Sequence, residues 1–177
     1  MRRLLTAAAV ASAVAATGLL GAGAATAAVT APHTGAAACQ PGTLKAAVDP
    51  SGPEQAGMNH QGTLLRLTNT GTTTCAFSGY AGLALEGAGH SAIPTTVRHG
   101  STYFAQDPGV RQVTLRPGAS AWADLVWTHV GQDTVHAKYL QISPTGSNAH
   151  STVAFAQDLD GGRLSVTAWS ASKPAIG

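Results

Sequence analysis

From Cys39 to Trp169 the apolar residues tend to alternate with polar ones in short segments, separated by clusters of Gly, Pro, Ser and Asn. Successive side chains of a strand point to opposite faces, so this period predicts strands with one buried side. The clearest segments are Thr63 to Thr68 and Lys138 to Ser143, stopped by the turns Asn69-Thr70-Gly71 and Pro144-Thr145-Gly146. Further strands are expected at 43–48, 74–77, 82–86, 93–98, 102–106, 110–115, 153–157 and 163–169. The longest apolar stretch, Ala119 to Val130, follows the turn Arg116-Pro117-Gly118. In it Ala121, Ala123, Leu125 and Trp127 fall on one face, and Trp122, Asp124, Val126 and Thr128 on the other. Helical periodicity is nearly absent. Eight to ten short strands with regular turn chemistry predict one all-β domain, a sandwich or a barrel. The Pro- and Gly-rich stretch from Asp49 to Gln61 reads as a long surface loop.

The amino terminus has a different grammar. Met1-Arg2-Arg3 is followed by an uncharged run from Leu4 to Leu20 and then by Ala25-Thr26-Ala27, the order of charge, apolar run and small-residue site that a signal peptidase reads. The expected organisation is a signal peptide over 1–27, a lead-in over 28–38, the β-domain over 39–172 and a tail over 173–177. This predicts a secreted protein, free in the medium or cell-wall associated, with no membrane insertion after cleavage.

Cleavage also changes the charge. Of ten Lys and Arg, Arg2 and Arg3 leave with the signal, and the remaining eight balance eight Asp and Glu. A neutral mature chain has no electrostatic footprint for nucleic acid. In an exported protein the two cysteines, Cys39 and Cys75, are expected to pair, since export compartments are oxidising.

Several blocks together resemble a secreted actinobacterial family, the domain of unknown function 4232. They are Leu67-Thr-Asn-Thr-Gly-Thr-Thr-Thr-Cys75 running into Ser78-Gly-Tyr-Ala-Gly-Leu-Ala-Leu85, then Val113 to Ala121 with Leu125-Val-Trp127, and Gly162 to Thr167. Ala81 stands where the family usually has Pro, and the second cysteine pair frequent in the family is missing. The resemblance implies an immunoglobulin-like antiparallel β-sandwich with Greek-key connections, and no assigned activity.

Candidate chemistry is sparse. His129 and His136 flank a Gly131-Gln132-Asp133 turn, and Met58 and His60 offer thioether and imidazole ligands, so copper or zinc is the metal reading. No H-x-H spacing supports it, and no cofactor motif is present. A G-x-S-x-G elbow is also absent, and Asp158 to Gly162 resembles only part of a calcium loop. Asp124 is the one acid inside an apolar stretch. Trp122 and Trp127, five apart, point to opposite faces, so one belongs to the core and the other is a candidate ligand platform. The resulting expectation is a non-enzymatic module that binds a protein, glycan or cell-wall component. The alternatives are a metal-binding protein, or a hydrolase or protease inhibitor acting through the loops at 49–61 or 99–109.

Overall fold

A computed structural model describes residues 35–40, 42–49, 51–145 and 147–177. The expected signal peptide and the lead-in up to residue 34 lie outside them. The first strands are β1 (Ala37–Ala38), β2 (Leu44–Asp49), β3 (Gln55–Gly57), β4 (His60–Asn69), β5 (Cys75–Phe77) and β6 (Gly82–Glu86). After a short 3-10 turn at Ala88–His90 come β7 (Ala92–Ile93), β8 (Thr96–His99), β9 (Val113–Leu115) and β10 (Ser120–Thr128). The chain closes with β11 (Thr134–Ser143), β12 (Ser151–Asp160) and β13 (Arg163–Val166).

The strands form an all-β sandwich. The largest sheet has the order β2-β4-β10-β13-β8, with β3 beside β4; the second is β12-β11-β6-β7 and the third β1-β5-β9. Most pairs are antiparallel, but β13 with β8 and β1 with β5 run parallel, which a purely antiparallel expectation misses. Leu65 and Leu67 of β4, Leu125 and Trp127 of β10, Leu140 and Ile142 of β11 and Phe155 of β12 meet in one buried core with residues of the small sheet. The register of β11 on β12 shifts between Ala137 and Tyr139, where Lys138 of β11 stands against two residues of β12, Phe155 and Ala156. Before this shift the odd residue Ala137 is buried, after it the even residues Leu140 and Ile142. Strict alternation continued from Ala137 would turn those two toward solvent.

Asn69 explains the Asn-x-Gly turn. It is fully buried, its amide donates to the carbonyls of Thr73 and Leu115, and its Oδ1 accepts the N–H of Gly71. Its backbone pairs with Gly118 and Ala119, so one residue holds two turns together. The Cys39–Cys75 disulfide is formed, with Cα atoms 4.7 Å apart. It lies where β1 pairs Ala37 with Cys75, so the end of the expected lead-in is a strand.

Two other expectations change. Residues 102–106 form no strand: Thr102 exchanges hydrogen bonds with Ala105, and Ser101 Oγ accepts from Asp107 N, so side chains compete with a ladder. The 49–61 stretch is not simply loop, because β3 folds back on β4 and buries Gln55. The tail is tied down as well: Gly177 N donates to Phe104 O, and Lys173 Nζ lies 2.9 Å from Asp49 Oδ2.

Candidate functional site

Strands β10 and β13 pair at Leu125 with Val166 and at Val126 with Ser165, and past β13 the chain stays bonded to β10 through Thr167 and Ser170. Toward Trp127 and Leu164 the pairing stops, β13 continuing along β8 and β10 along β4, so the two diverge there. A cleft of about 210 Å³ opens there. Val126, Trp127 and Leu164 give it apolar walls, and Thr96, Thr128 and Ser165 contribute hydroxyl groups. Arg98 of β8 and Arg163 of β13 supply two exposed guanidinium groups, and His60 also lines it. His60 is held in place: its Nδ1 donates to Met58 O at 2.9 Å and its ring stacks on Tyr103 at 4.1 Å.

Trp127 also lines a second, more open cleft of about 320 Å³, together with Gln55, Gln61, Gln157 and Glu54. Amides and carboxylates dominate there. Trp127 is thus the core member of the tryptophan pair: it is buried, packs edge-on against Phe155 at 5.0 Å, and its Nε1 has no hydrogen-bond partner among the described residues. Trp122 is on the other face, half-buried. Its Nε1 donates to Asp49 Oδ2 at 3.2 Å, and Lys173 Nζ stands 5.9 Å from the ring centroid. Held between these partners, Trp122 is a packed residue rather than an open platform.

The metal candidates are dispersed. His136 is exposed and pairs across the strand with Asp158, Nδ1 to Oδ1 2.5 Å. His129 follows β10, half-buried, and Met58 is an exposed turn residue. Among the described residues no three His, Cys, Asp or Glu side chains cluster to hold a metal ion. Asp158 and Asp160 belong to β12, leaving Gly161-Gly162 as the whole turn, so the calcium-like run is a strand end.

Buried polar groups are the feature that sequence reading sees least. Asp124 is fully buried on the face opposite the core, accepts a hydrogen bond from Thr102 Oγ1 and lies against the Gln55 amide. Burial pushes its carboxyl up, and the contacts with Thr102 and Gln55 only partly offset this. Asp49 moves the other way. Burial would raise it, but hydrogen bonds from Lys173 and Ser51 hold it well below the ordinary carboxylate range. A third cluster sits on the second sheet, where Glu86 accepts from His90 and Gln141 while His90 stacks on Tyr139 at 4.2 Å. The His90 hydrogen bond lowers the Glu86 carboxyl against the opposing effect of burial. Apart from Asp124, which stands out as an acid in an apolar run, no local pattern marks these groups.

Among the described residues no helix is long and apolar enough to cross a membrane. No curated protein and no solved structure matches the chain. The model of a domain of unknown function, number 4232, matches residues 39–170. That span runs from the first disulfide cysteine to the residue after Trp169, and takes in the Asn69 turns, both clefts and the sheet that carries Arg98 and Arg163. The chain belongs to the domain of unknown function 4232 family.

Proposed function

We propose that the protein is a secreted, non-enzymatic binding module that holds a cell-wall or other extracellular component in the cleft between β10 and β13. The observation that carries this reading is the cleft itself, an opening in a hydrogen-bonded sheet lined by threonine and serine hydroxyl groups, two arginines and apolar residues. Binding sites usually combine an apolar wall with a few converging polar groups in this way. Export is supported by the amino-terminal pattern and by the disulfide, which persists in oxidising compartments.

The lining favours holding a ligand over turning one over. A nucleophile needs a base within hydrogen-bond reach. Here His60 donates its Nδ1–H to Met58 O and, among the described residues, is bonded to no hydroxyl, and the hydroxyl of Thr128 lies against Asp160, whose lowered carboxyl is a weak base. The two loops weighed as inhibitor loops have buried anchors, Gln55 in one and Phe104 and Ala105 in the other, and exposed residues such as Met58 and Tyr103. The test is co-sedimentation of the purified protein with insoluble wall material from its host. Saturable binding that leaves the polymer uncut is expected. A protein that stays in the supernatant at every concentration, or that releases soluble fragments, would overturn the reading.

A further inference from the structure

We propose that Arg98 and Arg163 form an oxyanion-recognition pair, so that the cleft takes a carboxylate or phosphate carried on a hydroxylated, sugar-like chain. The inference rests on the binding-module reading and adds the chemistry of the ligand.

Parallel pairing of β13 with β8 sets Arg163 beside Thr96 and Ser165 beside Arg98. Residues two apart in a strand share a face, so all four side chains leave the same side of the sheet. The two arginines are therefore diagonal neighbours at the opening, the Arg163 guanidinium lying over Gly161. Neither lies within ion-pair distance of a carboxylate among the described residues, where the ion pairs are those of His90, His136 and Lys173. The acid that Arg163 senses, Asp160, is buried and already engaged, accepting the N–H of Gly131 at 2.5 Å and contacting Thr128.

Two like charges on neighbouring strands repel. Packing does not require them, because both side chains are exposed. A surface that served only solubility would interleave the signs. Against an oxyanion the same pair becomes favourable, since each guanidinium offers planar N–H forks that match carboxylate or phosphate oxygens. The Thr96 and Ser165 hydroxyls stand next to them and suit ligand hydroxyl groups. Sites that enclose a drug-sized ligand run from about 300 Å³ upward, and this cleft holds about 210 Å³. It fits one unit of a longer chain, or its end. Since the expected mature chain is neutral, with eight basic and eight acidic residues, the attraction is local to the pair and should be screened by salt.

The experiment is a titration of the 15N-labelled protein, followed by amide shifts, with sodium glucuronate, glycerol phosphate and uncharged methyl glucoside at matched ionic strength. At least one anion should give saturable shifts at residues 96–99, 126–128 and 163–166, and the neutral sugar should not; which anion saturates identifies carboxylate or phosphate as the source. The variant Arg98→Ala with Arg163→Ala should bind at least tenfold more weakly with an unchanged melting temperature, and Arg98→Lys with Arg163→Lys should fall between. Equal binding of the neutral sugar, undiminished binding by the Ala variant, or no saturable shift with either anion would overturn the proposal. If the Ala variant sediments with wall material as well as the parent protein does, the oxyanion pair is wrong and the binding module stands. If the parent protein binds neither wall material nor anion, both fall.

Discussion

Asp124 occupies the sheet face that simple alternation assigns to solvent, yet it is fully buried. Leu64 lies directly across the strand pair, also buried, and the Gln55 amide reaches over Gly62, where any Cβ would meet it. Asp124 Oδ1 and both polar atoms of Gln55 are left without well-formed hydrogen bonds. A carboxyl in this setting prefers its proton. Its folded pKa lies above the ordinary value of 3.8, so the folded chain binds more protons than the unfolded one between the two values. Its contribution to stability is therefore greatest below the ordinary value and falls as pH rises through the raised one. Asp49, Glu86 and Asp160, all lowered, behave oppositely and lose their contribution as pH falls. Asp124→Asn isolates the first effect. The parent should gain stability relative to this variant on acidification from neutral pH toward 4 in paired denaturant titrations. A difference that does not change with pH would mean that Asp124 stays ionised.

At the scale of elements, turns decide more than strands do. Gly161 and Gly162 both have positive φ, 56° and 65°, and carry the chain from β12 in one sheet directly to β13 in another. Glycine adopts this conformation without strain. At Gly162 a Cβ would also collide with the carbonyl oxygen of Pro94, just ahead of β8. Gly162→Ala is expected to destabilise the fold by about 2–4 kcal/mol through strain and displacement of β8. Gly109→Ala serves as its control, since that glycine has φ 72° but open space around it. Equal losses at both positions in equilibrium unfolding would show that backbone strain, not the Pro94 contact, sets the cost. The β3–β4 turn shows why one element escaped sequence reading. Met58 and Asn59 take positive φ of 48° and 66°, the geometry of a tight hairpin, but Met-Asn lacks the glycine that normally announces one. The hairpin survives because Gln55 and His60 are held on either side of it.

Over the whole molecule the Cys39–Cys75 bond acts on the unfolded chain as much as on the folded one. It closes a loop with a sequence separation of 36, for which chain entropy predicts about 4 kcal/mol. Removing both thiols by Cys39→Ser with Cys75→Ser should lower stability by about 2–4 kcal/mol. The loss should appear in thermal unfolding as a lower midpoint with the same far-ultraviolet spectrum at low temperature. An unchanged midpoint would show that β1 and its neighbours are held by pairing alone. The carboxy-terminal end provides a second clamp, with Lys173 on Asp49 and the last residue hydrogen-bonded to Phe104.

The sequence by itself determined what is local, most strand segments, the Gly and Pro turns and the placing of Trp122 and Trp127 on opposite faces, and its two cysteines allowed one pairing. Period-two alternation and turn chemistry are properties of a few adjacent residues, so they can be read without knowing the partners. Only the tertiary structure decided which strands are neighbours, and every candidate site depends on that. Arg98 and Arg163 become neighbours because β8 lies parallel to β13, and their cleft exists because β10 and β13 part beyond Val126 and Ser165. Asp124 is buried because residues distant in sequence, Gln55 and Thr102, are folded over it. Such contacts join positions that no short window contains, and their geometry is set by the packing of whole sheets.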